Sequence, residues 1–198
     1  MEKPALADHP IHEIMVRRWS PRAFAPRPLP REQVLILLEA ARWAASSFNQ
    51  QPWHFLVATR DDEARFAQML ECLVPGNQVW ARDASLLILT VTKGTFDHNG
   101  KPNSCAVHDI GLTACQLVLQ ATALGLATHQ MAGIEADKIR EVYGVPEGFE
   151  PVTGIAVGYP GDPDTLPDDL REMELAPRTR RPFAEFVFAD GWGNPAGY

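Results

Sequence analysis

The feature that most constrains this chain is a segment, residues 104–126, with the spacing of a long helix but apolar on nearly every side. One side carries Val107, Ile110, Ala114, Leu117, Val118, Ala121 and Leu124, and the opposite side carries Leu112, Cys115 and Leu119. Gly125 allows the helix to end there. A helix that is hydrophobic all round is buried in a core or covered by another subunit. The chain therefore needs structure, or a second copy of itself, on both sides of this helix.

Other segments supply further helices and a sheet. Apolar residues three and four apart after Pro30 predict an amphipathic helix, Asp61 and Asp62 suit the start of a second, and residues 135–143 form a third that ends at Gly144. Strands are predicted over residues 54–59, 86–91 and 152–159, and the unbroken apolar run 86–91 is typical of a strand buried on both faces. The pattern predicts several helices together with a small sheet.

Composition limits the size and the partners of the fold. The 198 residues suffice for one core but hardly for two, so we expect a single domain over residues 1–198. A net charge of −7 is a poor match for the phosphates of a nucleic acid. No apolar run reaches the roughly 18 residues of a membrane span, and the three cysteines include no CxxC pair. We expect a cytoplasmic protein with reduced thiols and neither nucleic-acid nor membrane partners.

The C-terminal part, about residues 161–198, is rich in proline and charge. Only residues 185–189 resemble a strand there, and no other strand lies nearby in the sequence. Because an unpaired strand exposes its backbone groups, we expect this one to pair elsewhere, with a partner subunit as the hypothesis.

Arginines are concentrated near the two ends of this acidic chain. Arg17, Arg18 and Arg22 lie near the start, and Arg178, Arg180 and Arg181 lie near the end. Because guanidinium groups match phosphate oxygens, the two groups together would bind one phosphorylated small molecule. The alternative is that these arginines only solvate exposed chain ends.

Three motifs occur in a fixed order along the chain. They are RRWSPRAF from Arg17, AARWAASSFNQQPWHF from Ala40, and Arg178-Thr179-Arg180 ahead of the last predicted strand. In this order they resemble the nitroreductase family, whose members depend on FMN, and the resemblance covers about residues 11–188. It implies an α+β fold, a three-layer α/β/α sandwich with a small, mostly antiparallel central sheet. It also implies an intertwined homodimer with two FMN sites at its interface and an exchanged C-terminal strand.

The resemblance also implies roles for particular residues. Arg18 and Ser20 would hold the FMN phosphate and ribityl chain, with Arg178 and Arg180 closing on the phosphate. Arg22 would stabilise negative charge on the reduced ring, and Ser46, Ser47 and Asn49 would reach the flavin of the other subunit. The expected cofactor contacts are Arg17, Arg18, Trp19, Ser20, Arg22, Ser46, Ser47, Phe48, Asn49, Gln51, Asn77, Gln130, Met131, Ala132, Gly133, Arg178 and Arg180.

Two of these segments deviate from a simple motif match. Residues 130–133 would offer backbone N–H groups to the flavin ring, and only Gly133 is motif-like among them. Asn77 matches a family asparagine near the pyrimidine edge, but Trp80 stands where the family often has a basic residue. This departure leaves the flavin potential and the substrate pocket open.

The implied activity is a ping-pong reaction in which NADH or NADPH reduces FMN and a nitroaromatic, quinone or related small acceptor is reduced in turn. The flavin carries the chemistry, so neither a catalytic triad nor a metal is required. The lack of a GxGxxG motif fits a nicotinamide that visits an open site. The choice of nicotinamide, the physiological acceptor and the target on which the 94–104 segment closes remain open.

Alternatives stay open for the function and for single residues. One is a specialised flavoenzyme of the same fold, and a remote one is a metal-dependent phosphohydrolase, suggested by His108-Asp109. Ser46 to Asn49 could merely end a helix. Structural roles are expected for Trp43 and Phe48, and core positions for Trp53 and Phe55.

Overall fold

The computed structural model describes residues 1–197. Its helices are α1 (Glu13–Arg17), α2 (Arg31–Arg42), α3 (Glu63–Leu70), α4 (Pro75–Ala81), α5 (Ala106–Ala123), α6 (Ala136–Tyr143) and α7 (Asp168–Leu175). Its strands are β1 (Phe24–Ala25), β2 (Trp53–Thr59), β3 (Leu86–Lys93), β4 (Ala127–Met131) and β5 (Phe149–Pro160). Short 3-10 turns cover Ser47–Asn49, Pro163–Thr165 and Phe183–Glu185.

The strands form one sheet around β5. Strand β3 lies along one edge of β5, while β1 and β4 share the other edge, and β2 pairs with the far side of β3. Each of these pairings is antiparallel, with Leu86 opposite Val157 and Ala127 opposite Gly158. The predicted antiparallel sheet is confirmed.

Helices cover both faces of the sheet. Along β3, Leu87 and Leu89 belong to a core that includes residues of α3, α4 and α6, whereas Leu86 and Ile88 belong to a core with residues of α2 and α5. Successive side chains of a strand point to opposite faces, so one apolar strand serves both cores. This arrangement confirms the three-layer α/β/α sandwich and the prediction that the 86–91 run is buried on both faces.

The predicted helix ends agree with the structure. Asp62 caps α3 by accepting a hydrogen bond from the Arg65 N–H at 3.1 Å, and Gly144 ends α6 with a φ of 63°. Helix α5 buries one side in the core but leaves Val107 62% exposed and Cys115 exposed. The other half of the prediction, that a second subunit covers this helix, stays a prediction.

The C-terminal extension differs from its prediction. Residues 185–189 do not form a strand, because Phe183–Glu185 is a 3-10 turn and Phe188 makes only an isolated bridge to Pro195. The aromatic side chains contact one another instead, with Phe183 5.7 Å from Phe186 and 5.5 Å from His9. Helix α7 was also missed, since Glu174 is its one buried residue and no apolar stripe marks it.

Three other elements escaped prediction, the strands β1 and β4 and the helix α4. Two of the expected core residues are only half-buried, since Trp53 and Phe55 lie on the edge strand β2. Trp43 is 73% exposed and donates a hydrogen bond to Glu39 at 2.8 Å, so its structural role lies at the surface. Within residues 1–197, no helix combines the length and the apolar character needed to cross a membrane.

Candidate functional site

The two groups of arginines lie together in the structure. Arg18 and Arg22 from the first group and Arg178 and Arg180 from the second line one cleft of about 280 Å³, here called the basic cleft. The cleft is completed by Lys3, Trp19, Ser20, Met173, Glu174, Ala176 and Pro177. The alternative, that these arginines only solvate separate chain ends, is therefore wrong for the four that line the cleft.

The arginines of the basic cleft repel one another. Partial burial lowers the pKa of Arg18, and the charge of Arg180 lowers it further. The pKa of Arg178 is lowered in the same way, first by burial and then by Arg18 and Arg180. A bound anion would relieve this repulsion, and guanidinium groups bind phosphate oxygens with charge-assisted hydrogen bonds. The donor set therefore fits the phosphate of a small molecule.

Two of the predicted arginines already donate some of their N–H groups to backbone carbonyl oxygens. Arg178 donates hydrogen bonds to the carbonyl oxygens of Lys3 at 2.7 Å and Val16 at 3.0 Å, and Arg17 donates to Thr122 at 3.5 Å. Arg18 contacts the Ser20 hydroxyl at 3.3 Å. Arg17 is thus placed beside the C-terminal end of α5 and is not among the residues that line the basic cleft.

The peptide between Pro21 and Arg22 is held from two sides. His129 on β4 donates a hydrogen bond to the Pro21 carbonyl at 3.0 Å, and both carboxylate oxygens of Glu174 accept the Arg22 N–H at 3.0 Å. The ring of His129 also lies against Trp80, with 4.5 Å between ring centroids. Sequence reasoning missed the roles of His129 and Glu174, since neither residue belongs to a motif.

Burial of His129 predicts a pH-dependent stability. Burial, with a further contribution from the Arg22 charge, lowers its pKa from 6.5 to about 4. As the pH falls below 6.5, the unfolded chain binds a proton that the folded chain does not. The free energy of unfolding therefore falls by about 2 kcal/mol by about pH 5. Urea unfolding over this range should show that loss in the wild type and not in His129→Asn. The exposed control His98→Asn should lose stability between pH 6.5 and 5 as the wild type does. The same loss in His129→Asn would contradict the lowered pKa of His129.

The serine and asparagine motif forms a strained loop, residues 46–51. Phe48, Asn49 and Gln51 have φ values of 52°, 53° and 49°, in the left-handed region that non-glycine residues seldom adopt. The Ser46 hydroxyl accepts the Gln51 N–H at 3.0 Å, and the buried Asp109 of α5 accepts the Ser47 N–H at 3.0 Å. Backbone strain of this kind is concentrated at functional sites. The loop does more than end a helix.

The 94–104 segment closes on this loop. Asp97 accepts a hydrogen bond from the Gln50 amide at 2.8 Å and donates its own N–H to the Gln50 oxygen at 3.0 Å. Phe48, which is 83% exposed, contacts Phe96 edge-on at 5.8 Å and His98 at the same distance. The expected structural role of Phe48 is thus limited to an exposed aromatic cluster of Phe48, Phe96 and His98.

The predicted ring-edge residues Asn77 and Gly133 lie together, and Asn77 belongs to the same helix, α4, as Trp80. Asn77 donates its side-chain amide to the Gly133 carbonyl at 3.0 Å. A Cβ at Gly133 would meet Asn77 and Val74 at 2.6 Å each, which explains the glycine at this one motif-like position. Trp80 is 2% exposed and stacks on Phe24, so it lies in the core and not at a ligand surface. Of residues 130–133, Gln130 and Ala132 are exposed and Met131 is buried.

Apart from the ring-edge residues Asn77 and 130–133, the predicted cofactor residues of one chain form two groups. One group consists of the residues that line the basic cleft and the neighbouring Arg17, which donates a hydrogen bond to Thr122 of α5. The other is the 46–51 loop, which bonds to Asp109 of α5. Thr122 and Asp109 are thirteen residues apart, which corresponds to about 20 Å along a helix.

The structure also bears on the phosphohydrolase alternative. Among residues 1–197, no three His, Cys, Asp or Glu side chains are grouped so that they could hold a metal ion. His108 lies 3.3 Å from Asp109, whose other carboxylate oxygen accepts the Ser47 N–H. The His-Asp pair therefore has a structural role in fixing the 46–51 loop.

Comparison with known proteins agrees with the fold and the motifs. The model of the Nitroreductase family matches residues 15–159. A solved structure described as an oxidoreductase containing FMN is 39% identical, with a TM-score of 0.89, over 95% of this chain and 96% of its own. A putative NADH dehydrogenase/NAD(P)H nitroreductase of Archaeoglobus fulgidus is 27% identical over 76% of this chain and 85% of that protein.

A further relative, the oxygen-insensitive NAD(P)H nitroreductase of Enterobacter cloacae, is 24% identical over 75% of this chain and 88% of that protein. The family match spans most of the chain, including the second half of α1, the 46–51 loop, β1 to β4 and all of β5 but its last residue. The resemblance noted in the sequence is thus confirmed, and the chain belongs to the nitroreductase family.

Proposed function

We propose that the protein is an FMN-dependent oxidoreductase that passes electrons from NADH or NADPH to a nitroaromatic, a quinone or a related small acceptor by a ping-pong mechanism. The enzyme class and the cofactors are those of the family. The observation that carries the proposal for this chain is the basic cleft, which Arg18 and Arg180 both line and in which the charge of Arg180 lowers the pKa of Arg18. When bound, FMN supplies the hydride chemistry.

The residues of this chain have the tasks of binding and orientation. Arg18, Ser20, Arg178 and Arg180 hold the phosphate, and Arg22 provides a positive charge toward the ring. Asn77 and residues 130–133 form the surface for the ring edge, where Gly133 permits the close approach of Asn77. No proton donor on the protein is needed for hydride transfer between two stacked rings, so positioning is the main contribution of the protein.

A homodimer completes the site. The chain forms one FMN-binding domain, and its 46–51 loop lies too far along α5 from Arg17 to serve the same flavin easily. The outward side of α5, with Val107 and Cys115, offers an uncharged surface for a second copy. Contact there places the 46–51 loop of one subunit near the basic cleft of its partner, and the extension over residues 161–198 reaches the partner subunit.

The aromatic cluster supports a planar acceptor. Phe48 and Phe96 meet edge-on at 5.8 Å and leave Phe48 largely exposed beside Ser47 and Asn49. Aromatic rings of this kind attract flat aromatic ligands by stacking or edge contact. A nitroaromatic or a quinone fits such a surface better than a charged aliphatic acceptor.

The visible absorption spectrum of the purified protein tests this function. We expect yellow protein, with FMN bound, that bleaches on anaerobic addition of NADH or NADPH and regains its colour when a quinone is added. Yellow protein that neither nicotinamide reduces would contradict the reductase and favour the specialised flavoenzyme. Colourless protein that cannot be reconstituted with FMN would contradict the whole proposal.

A further inference from the structure

We infer that Glu174, which no motif marks, is the positioning residue that joins the two arginine segments into one phosphate-binding site. The inference rests on the proposed function only in taking the FMN phosphate as the ligand. Glu174 does not contact the ligand in this role. It fixes the backbone from which the ligand-binding side chains project.

Glu174 is buried in an unusual setting. Its side chain is 1% exposed, although it lies among the basic residues Lys3, Arg18, Arg22, Arg178 and Arg180 that line the cleft. Its carboxylate oxygens accept hydrogen bonds from backbone groups, the Arg22 N–H at 3.0 Å and the Ala23 N–H at 3.2 Å. A buried carboxylate is stable when backbone N–H groups satisfy it in this way.

The charge of Glu174 does not explain its presence. A negative charge in an anion-binding cleft weakens the attraction for phosphate. No Lys or Arg side chain in residues 1–197 forms an ion pair with its carboxylate, and Lys3 donates instead to its backbone carbonyl at 2.6 Å. The presence of a carboxylate here is therefore explained by its hydrogen bonds, which fix the positions of the Arg22 and Ala23 N–H groups.

Those two N–H groups belong to the segment that carries the first arginines. The Arg22 N–H and the Pro21 carbonyl are the two sides of one peptide unit, and His129 holds the carbonyl at 3.0 Å while Glu174 holds the N–H. With both sides fixed, the peptide cannot rotate, and Ser20 and Arg22 keep one orientation toward the cleft.

The same residue fixes the second arginine segment. Glu174 lies at the end of α7, four residues before Arg178 and six before Arg180. Its carboxylate bonds thus hold the C-terminal segment against residues 22 and 23, and the contacts of Lys3 with Glu174 and Arg178 strengthen this connection. These bonds act against the repulsion between Arg18 and Arg180, in which the charge of Arg180 lowers the pKa of Arg18.

The test compares Glu174→Gln with Glu172→Gln, an exposed glutamate on the same helix. Glutamine keeps the volume of glutamate but turns an NH₂ group toward backbone donors, so at least one bond is lost. Dissociation constants for FMN and riboflavin, from quenching of flavin fluorescence, separate the phosphate from the ring. We expect Glu174→Gln to bind FMN about tenfold more weakly and riboflavin as the wild type does, and Glu172→Gln to change neither.

Other outcomes would overturn the inference. Unchanged or tighter FMN binding in Glu174→Gln would show that the charge matters more than the position, and an equal loss for FMN and riboflavin would indicate a general structural defect. Should Glu174→Gln fail to fold, Glu174→Asp keeps the charge and both oxygens but draws them back by one methylene. It should show the same selective loss of FMN binding, and wild-type selectivity in Glu174→Asp would count against the inference.

Inorganic phosphate separates this inference from the proposed function. A wild-type protein that binds no flavin would contradict the proposed function alone. The thermal midpoint would then be measured with and without phosphate. A shift in the wild type and Glu172→Gln but not in Glu174→Gln would support the role of Glu174, whereas equal shifts in the three proteins, or none in any of them, would overturn it.

Discussion

Replacing Arg18 or Arg180 by alanine is expected to weaken FMN binding by about 1 to 3 kcal/mol, or about five- to 150-fold, since each removes a charge-assisted bond to the phosphate. Both side chains line the basic cleft, and each lies close enough to affect the other's charge. Titration of apoprotein with FMN measures the effect. The exposed Arg65 of α3 provides the control, because Arg65→Ala should bind FMN as the wild type does.

FMN binding by the double variant, Arg18→Ala with Arg180→Ala, gives a second test of the same site. The charge of Arg180 lowers the pKa of Arg18, so removal of Arg180 relieves a repulsion that a bound phosphate would otherwise relieve. The combined loss should therefore differ from the sum of the single losses. Unchanged flavin occupancy in both single variants would show that the phosphate lies elsewhere.

Mixing two variants with impaired FMN sites is expected to restore part of the lost activity. Arg18→Ala removes a residue of the basic cleft and Asn49→Ala removes one from the 46–51 loop, and the two regions lie along different parts of α5. If a site takes Arg18 from one subunit and Asn49 from the other, each heterodimer has one intact site. After random reassortment about a quarter of all sites should be intact.

The control is the mixture of Arg18→Ala with Arg180→Ala. These two residues line the same cleft of one chain, so every heterodimer would carry one lesion in each of its sites. This mixture should stay at the level of its parents. No recovery with Asn49→Ala, although exchange of subunits is shown by mass spectrometry, would mean that the 46–51 loop serves its own subunit.

Periodicity and end signals predicted the layered core. The long apolar α5, the capping Asp62 and the terminating Gly144 could be recognised because each is determined by nearby residues. Strand β4 could not, because it is short and is fixed by pairing with β5 over the register from Ala127 to Met131. Residues 185–189 have the composition of a strand, but Phe186 packs against Phe183, and Phe188 packs against Trp192.

The site was predictable only as far as its motifs reach. The arginines could be identified from charge and from the family pattern, and the structure places four of them in one cleft. Glu174 and His129 could not, because a carboxylate that bonds to backbone N–H groups and an imidazole that bonds to a carbonyl leave no spacing pattern in the sequence. The role of Trp80 also needed the structure, which shows it packed between Phe24 and His129.

The position of β5 in the sheet also determines when the protein can fold during its synthesis. Strands β1, β3 and β4 all bond to β5, which is made only when about residue 160 has been added. Until then the ribosome-bound chain presents β3 with one open edge and two apolar faces, a state prone to aggregation. The pairing of β2 with β3, both of which are made before β5, closes the other edge early and leaves translation through residues 94–160 as the vulnerable interval.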